Sequence, residues 1–371
     1  MRHQSGFTTL SVTLILMLIL LALSLLVGKV LVSDRRISLN EVQYRQAVAM
    51  AEQGLSDGFG RVASVDWRGT ISGALESWSY TVQAQNASAV VIGGTTVVPV
   101  TIRSVATLRD EVAQPVAEAV AEAKYVSKPL VTDIPGSPLT VGGGMNDFGG
   151  SGEIVTNPNG GGPGVPVSIW SDKAVGADNA SWKTCQPGVN GCGDTISDPK
   201  TINPSDIKAS DINFPTDLVQ YLFGLDDDPE NEWWYALGAK KVPCNKLAST
   251  TAKIILVEGD CDATGKIGSN TIPVSPVILI IKDGNFTMNG TEDKNQINGL
   301  VFAYSSTDPK TSHTIRLNGG AAINGILVTN YKLDKFNGDY SVRYDASILD
   351  ALKHGVEFKT LKLIPGSWHD W

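Results

Sequence analysis

The chain has 371 residues, of which 42% are hydrophobic and 18% are charged, and its formal net charge is -8. This length is sufficient for one large domain or two ordinary ones with a substantial core, and the apolar content excludes a disordered chain. The acidic balance and the lack of a basic stripe argue against a dedicated nucleic-acid-binding protein.

The first predicted element is an apolar segment. Residues 7–28 are 22 consecutive uncharged residues, which as a helix would span about 33 Å, enough for a hydrocarbon core of about 30 Å. A cleavable secretory signal has a shorter apolar region of about 7–15 residues, and no small-residue cleavage site follows this one. The segment is therefore predicted to be a transmembrane helix.

This helix is predicted to continue as an amphipathic helix to residue 62. Apolar or amphipathic side chains recur every three or four residues and form one stripe, which only Glu41 interrupts. Gly54, Gly58 and Gly60 weaken the end of the pattern, so the helix is expected to end near them. The stripe consists of Ile37, Glu41, Tyr44, Val48, Ala51, Leu55, Phe59 and Val62.

The junction between the short polar leader and the apolar segment reads SGFTTLSVTLIL. It resembles the leader and first segment of a type IV pilin. The resemblance implies that residues 1–6 are a leader peptide, that a prepilin peptidase cuts between Gly6 and Phe7, and that the new terminal Phe7 is N-methylated. It also implies a single-pass anchor in the bacterial inner membrane with a periplasmic globular part. The same segment would later pack in the core of a pilus on the cell surface.

One position departs from the pilin pattern. The family usually has glutamate at the fifth position of the mature chain, where this chain has Ser11. That carboxylate is thought to pair with the terminal amine of a neighbouring subunit, since a charge in apolar surroundings needs a partner. A subunit at or near the filament tip has no such neighbour, so Ser11 favours a position there. A neutral residue in a plain membrane anchor is the alternative.

Residues 66–128 are predicted to form a pilin-like α/β segment after the long helix. SYTVQAQ and TTVVPVTIRSVATL read as two strands, with IGG between them. EVAQPVAEAVAEAKYV is either a short helix or a strand broken by Pro115.

A β-rich domain is predicted for residues 129–371, with an irregular insertion at 172–250. Four runs rich in β-branched and other apolar residues begin at offsets of 23, 22 and 26 residues, and three of them end in Gly or Asn. A recurrence near this length is typical of a solenoid, in which each rung buries its apolar face on the next. We predict a short right-handed β-helix; an antiparallel sandwich with the same spacing is the alternative. The runs are Ile254–Gly259, Val277–Gly284, Gly299–Tyr304 and Gly325–Asn330.

The predicted fold class is therefore α+β, a long N-terminal helix that carries a mostly β globular part. The chain ends in an apolar run, PGSW and a closing aromatic residue, an ending similar to that of the larger PilX-type pilus assembly proteins of Gram-negative bacteria. The two resemblances imply a minor pilin that primes assembly at or near the tip and exposes its β-rich domain for adhesion or interaction. The implied partners are other minor and major pilins, the prepilin peptidase and the inner-membrane assembly platform.

The four cysteines are predicted to form disulfides, because their number is even and the anchor implies export of everything after it. CQPGVNGC would close a small loop between Cys185 and Cys192, and Cys244 with Cys261 would close a larger one. Other pairings stay open. A zinc site is the rival, although the spacing of the first pair is unlike the usual zinc spacing.

The densest carboxylate cluster is the run LDDDPENEWWY, which includes Glu232. Oxygen ligands at this density suit calcium, but the run lacks the EF-hand spacing, so a solvated acidic loop is preferred and no other cofactor is expected. The adjacent Trp233, Trp234 and Tyr235 are either a contact patch for a partner or buried anchors of the loop. The candidate calcium ligands are Asp226, Asp227, Asp228 and Glu230.

The sequence shows no catalytic motif, and an enzyme is not expected. The histidines are far apart, and neither a G-x-S-x-G nor a Walker motif occurs. The rival function is a membrane-tethered β-helix enzyme acting on polysaccharide, which needs clustered carboxylates on one solenoid face. The scattered candidates do not recur at the rung period; they are Asp260, Asp283, Asp334 and Asp339.

Overall fold

Two units, Met1–Lys128 with Leu361–Trp371 and Pro129–Thr360, make up the chain. The structure is a computed structural model. It describes residues 5–75, 77–92, 95–109, 115–145, 148–176, 181–189, 191–228, 230, 232–291, 294–333, 336–337 and 341–371. The α-helices are α1 (Ser5–Val65), α2 (Leu218–Phe223), α3 (Trp233–Ala236) and α4 (Ala346–His354). The strands are β1 (Gly69–Leu75), β2 (Trp78–Asn86), β3 (Val90–Ile92), β4 (Thr95–Val97), β5 (Val100–Arg109), β6 (Pro115–Pro129), β7 (Leu139–Val141), β8 (Phe148–Gly149), β9 (Glu153–Val155), β10 (Ile169–Ser171), β11 (Lys183–Gly188), β12 (Gly191–Ser197), β13 (Ile207–Lys208), β14 (Lys240–Lys241), β15 (Ile254–Glu258), β16 (Cys261–Ala263), β17 (Lys266–Ile267), β18 (Val277–Lys282), β19 (Phe286–Asn289), β20 (Gln296–Tyr304), β21 (Ile315–Asn318), β22 (Ala322–Thr329), β23 (Phe336–Asn337), β24 (Ser341–Arg343), β25 (Lys359–Leu363) and β26 (His369–Asp370).

The first unit consists of α1 packed on an antiparallel sheet. The strand order is β1-β2-β5-β6-β25, with β26 also paired to β6. Alternation along β2 and β5 buries Val82, Ala84 and Ile102, in one apolar cluster with residues of α1. The segment EVAQPVAEAVAEAKYV, for which the sequence allowed either a helix or a strand, contains strand β6, which begins at Pro115. Proline is tolerated at the first residue of a strand because no ladder hydrogen bond is required there.

Residues Leu361–Trp371 belong to the first unit. The β-rich domain was predicted to extend to residue 371, so its predicted end is corrected to Thr360. Strand β26 pairs antiparallel with β6, and the backbones of Val120 and Trp371 exchange hydrogen bonds of 2.7 and 3.0 Å. The Ser367 hydroxyl bonds both the backbone N–H and the carbonyl of Lys124, 243 residues away. The second unit is therefore an insertion in the sequence of the first.

The second unit is a β-solenoid of about seven turns, so the predicted solenoid and the α+β class are confirmed. Ile254, Ile278, Leu300 and Ile326 follow one another in register on β15, β18, β20 and β22. These rungs recur after 24, 22 and 26 residues, and all three pairings are parallel. The parallel pairing excludes the antiparallel sandwich. The right-handed sense stays a prediction.

The rungs do not stack in chain order. Strand β7 pairs with β10 on one side and with β22 on the other, and β8 and β9 likewise lie beside β23 and β24. The chain winds from β7 out to β13, returns at the opposite end of the sheet with β14, and winds back until its last rung meets its first. A sequence repeat indicates only that consecutive rungs are neighbours, so it does not predict the pairing of β7 with β22 or of β9 with β24.

The central strands of the long sheet are buried on both faces. On β15, for example, Ile255 and Val257 belong to the cluster inside the solenoid, whereas Ile254 and Leu256 belong to a second cluster with α2, α3 and α4. This double burial explains continuous apolar runs such as VILIIK. It also corrects the predicted irregular insertion at 172–250, which supplies β11–β14 and two of the covering helices.

Candidate assembly helix and neighbouring sites

The first half of α1 exposes its apolar side chains. From Leu10 to Val42 the large apolar residues leave between 51% and 75% of their surface uncovered. By length and composition the helix is long and apolar enough to cross a membrane, and none of its most apolar stretch is buried. Such a surface is unfavourable in water, so this half of α1 requires a membrane or other protein chains as its surroundings.

The predicted processing junction lies at the beginning of α1. The helix starts at Ser5, so the backbone of Gly6 and Phe7 is helical. Residues 1–4, and the side chains of residues 5–9 and of Ser11, lie outside the described part of the structure. Cleavage after Gly6, methylation of Phe7 and the role of Ser11 therefore stay predictions.

The second half of α1 packs on the sheet through small side chains. Ala47 and Ala51 are fully buried. A Cβ added at Gly54 would come within 2.3 Å of the Ser104 hydroxyl oxygen, and one added at Gly58 within 2.6 Å of Val82 Cγ1. The two glycines therefore let the helix approach β2 and β5 closely.

This close packing offsets the helix-weakening effect of the glycines. Helix α1 ends at Val65, three residues beyond the predicted end at residue 62. A glycine inside a helix costs roughly 0.5–1 kcal/mol relative to alanine, but Leu55 and Val62 are buried on the same face. Burial of large aliphatic side chains contributes about 1.5–3 kcal/mol each and exceeds that cost.

A polar contact crosses the helix–sheet interface beside these glycines. The Tyr80 hydroxyl donates a hydrogen bond to Asp57 Oδ2, and the Tyr80 ring lies over Gly73. The hydrogen bond to Asp57 is the main cause that raises the pKa of Tyr80, and burial adds to it. Sequence reasoning missed this pair. The alternation of β2, which puts Tyr80 on the face of Val82, is the signal that could have found it.

Both predicted cysteine pairs are disulfide-bonded in the structure. Cys185 and Cys192, with Cα atoms 5.5 Å apart, join the two strands of the β11–β12 hairpin. Cys244 and Cys261, 5.4 Å apart, tie a short 3-10 helix at Cys244–Ser249 to β16. Strand β16 ends its sheet, so the second bond fixes one end of the solenoid.

The acidic run folds onto the solenoid instead of forming an open loop. Asp227 Oδ1 accepts a hydrogen bond of 2.5 Å from the Tyr304 hydroxyl, and its Oδ2 lies 3.1 Å from Lys310 Nζ. Burial, together with this hydrogen bond, raises the pKa of Tyr304 above its ordinary value. Asp228 accepts from the backbone N–H of Glu230 at 3.0 Å.

These contacts give the calcium candidate no geometric support. Asp226, Asp227, Asp228 and Glu230 do not converge, and the part of the chain that the structure describes contains no group of three or more His, Cys, Asp or Glu side chains arranged to hold a metal. Asp227 instead attaches its own segment to β20 and to the loop after it.

The neighbouring aromatic residues divide between the two predicted roles. Trp233 and Trp234 are 3% and 0% exposed, so they are buried anchors. The Trp233 ring stacks on Phe223 at 5.5 Å and meets Tyr304 edge-on at 5.3 Å. Tyr235, in contrast, leaves 48% of its surface exposed.

The rival enzyme would need clustered carboxylates. The two candidates that the structure describes instead accept hydrogen bonds at two different turns. Asp260 accepts from the backbone N–H of Asn285 at 2.7 Å. Asp283 accepts from the N–H and the hydroxyl of Ser306 at 2.7 and 2.5 Å. The other two candidates, Asp334 and Asp339, lie outside the described residues.

Comparisons with known proteins give only weak likenesses. No family model matches the chain, and no curated protein matches it. A similar solved structure is the competence-associated pilin ComZ from Thermus thermophilus, with 11% sequence identity and a TM-score of 0.26, over 90% of this chain and 97% of that chain. A likeness of this strength does not assign a function.

Proposed function

We propose that the protein is a minor pilin of a type IV pilus or a related filament. Helix α1 is the observation that carries this proposal. Its first half is apolar and uncovered, and follows the pilin-like SG-FTTL junction. Without a break, its second half packs on an antiparallel sheet. One continuous helix of this kind is suited to anchor a subunit in a membrane and later to pack among the helices of a filament.

The finer parts of the proposal rest on the sequence. Cleavage between Gly6 and Phe7 would convert the membrane-anchored precursor into a subunit ready for assembly at the inner-membrane platform. Ser11, in place of the usual glutamate, supports a position at or near the tip and a role in priming. The β-rich second unit would then be available for adhesion or interaction outside the cell.

The rival polysaccharide enzyme has no supporting geometry among the described residues. Asp260 and Asp283 are each engaged at a different turn. We therefore propose an assembly role without catalysis.

Affinity isolation of the membrane complex tests the assembly role. A tag inserted between Pro163 and Gly164 lies in an exposed loop, where a Cβ at Gly164 would meet no heavy atom within 4 Å, and it leaves the paired C-terminal strand intact. We expect other pilins and platform proteins to co-purify, and an untagged strain processed in parallel controls for adhesion to the matrix. Recovery of the tagged chain without any pilin or platform protein would contradict the proposal.

A further inference from the structure

An open cleft on the second unit gathers positive charge in an acidic chain. Its volume is about 490 Å³, within the range of about 300–1,000 Å³ typical of small-ligand sites. The lining contains three lysines and one glutamate, a formal charge of +2, whereas the whole chain carries -8. These residues are Lys240, Lys253, Lys359 and Glu357.

The walls of the cleft are fixed by backbone hydrogen bonds. The N–H of Leu130 donates to the carbonyl of Phe358 at 2.8 Å, and the N–H of Gly238 donates to that of Tyr235 at 2.9 Å. Leu130 and Ile254 also belong to the buried apolar cluster under the covering helices. The cleft is therefore formed before any ligand arrives, which reduces the ordering entropy of binding.

Two of the three ammonium groups are available for a ligand. Lys253 is held by the Ser275 hydroxyl and lies 3.9 Å from a carboxylate oxygen of Glu357. No carboxylate among the residues that the structure describes lies within 4.0 Å of the ammonium groups of Lys240 or Lys359. An anion in the cleft would give both lysines charge-assisted hydrogen bonds.

The same cleft presents an aromatic ring and hydroxyl groups. The half-exposed Tyr235 ring lies edge-on to the ring of the buried Trp234, with 6.3 Å between the ring centroids. Thr251 and Thr360 also line the cleft. A sugar ring needs an aromatic surface for its apolar face and hydrogen-bonding groups for its hydroxyls.

We infer that this cleft binds a uronate residue of an acidic polysaccharide. The carboxylate would lie between Lys240 and Lys359, and the sugar ring would lie on Tyr235. A nucleic-acid backbone is disfavoured, because it is bound through a series of cationic contacts to many phosphates and the lining contains no arginine. The inference deepens the proposed function, since it names the ligand class for the β-rich unit of a displayed subunit.

Calorimetric titration of the purified full chain in detergent tests the inference. The probes are a galacturonate trimer, a neutral galactose trimer, inorganic phosphate and a short DNA duplex. We expect the galacturonate trimer to bind and the neutral trimer to bind at least about tenfold more weakly. Tyr235→Ala and the double variant Lys240→Ala/Lys359→Ala should each weaken binding of the galacturonate trimer by about tenfold or more.

The control is Lys173→Ala/Lys200→Ala, which removes the same charge outside the cleft and should leave binding unchanged. Melting curves check that each variant folds, and Lys359→Gln alone replaces the double variant if that one does not. Equal binding of the neutral trimer, or no binding of galacturonate, would overturn the inference. So would lysine-dependent binding of phosphate or DNA alone. A mature chain that does not start at Phe7 would instead defeat the pilin proposal and leave the cleft unaffected.

Discussion

Replacing Gly58 by alanine should weaken the packing of α1 on its sheet. The new Cβ would lie 2.6 Å from Val82 Cγ1 and 2.8 Å from Ile102 Cγ2. Both neighbours are β-branched, fully buried and located on paired strands, so neither can move aside freely. Overpacking of this kind costs about 1–3 kcal/mol, against a gain of roughly 0.5–1 kcal/mol from alanine's better helix propensity.

The expected net loss is therefore about 1 kcal/mol, a factor of about 5 in the equilibrium for local opening. Hydrogen–deuterium exchange of the full chain in detergent measures this directly, in peptides that cover β2 and β5. Gly60→Ala is the matched control, because a Cβ at Gly60 would meet no heavy atom within 4 Å. The control should slow the exchange or leave it unchanged. If Gly58→Ala slows exchange in β2 and β5 as Gly60→Ala does, the close packing inferred for Gly58 is wrong.

Three further results are expected. The unreduced protein should show no free thiol in denaturant, and replacing Cys244 and Cys261 by alanine should lower the stability of the second unit by about 3 kcal/mol for a separation of 17 residues; two titrating thiols would rule out the pairing. Tyr80→Phe should lower the melting temperature at pH 7. The hydrogen bond to Asp57 raises the pKa of Tyr80 in the folded state. Its stabilisation is therefore present below the unfolded pKa of about 10 and is lost as pH rises through the folded value. A difference in melting temperature between the wild type and Tyr80→Phe that does not change with pH would contradict this reasoning. Ser11→Glu should give fewer pili of normal length, since an unpaired carboxylate in apolar surroundings is unfavourable, and an unchanged pilus number would refute a tip position.

The elements that the sequence predicts best are those defined by uninterrupted local patterns. The first half of α1 is a single apolar run, and the rungs from Ile254 to Asn330 repeat a β-branched pattern because each is buried on both faces. In both cases the structure can be predicted from the pattern of apolar residues within one continuous stretch of the chain.

Contacts between distant segments were not predictable in this way. Nothing near β7 in the sequence indicates that it pairs with β22, and the last strand carries no local sign of its partner in β6. The glycines of α1 have a packing role that the sequence alone does not indicate, for a related reason. In sequence they only weaken a helix, whereas in the structure Gly54 and Gly58 contact β2 and β5.

The candidate sites also divide into those that a local sequence pattern predicts and those that depend on contacts between distant segments. Close spacing was sufficient to suggest the pairing of Cys185 with Cys192, because seven residues limit how far apart they can lie. Carboxylate density alone did not indicate the contacts of the acidic run, in which Asp227 is engaged by Tyr304 and Lys310. The cleft around Tyr235 unites four separate segments and has no signature in any one of them.

The most direct test of the pilin proposal is the N-terminus of the mature protein. Protein purified from the membrane fraction of the native host should be digested, and its N-terminal peptide identified by mass spectrometry. The proposal predicts a chain that begins at N-methylated Phe7, with residues 1–6 removed. An intact Met1, or a mature start beyond residue 25, would contradict it.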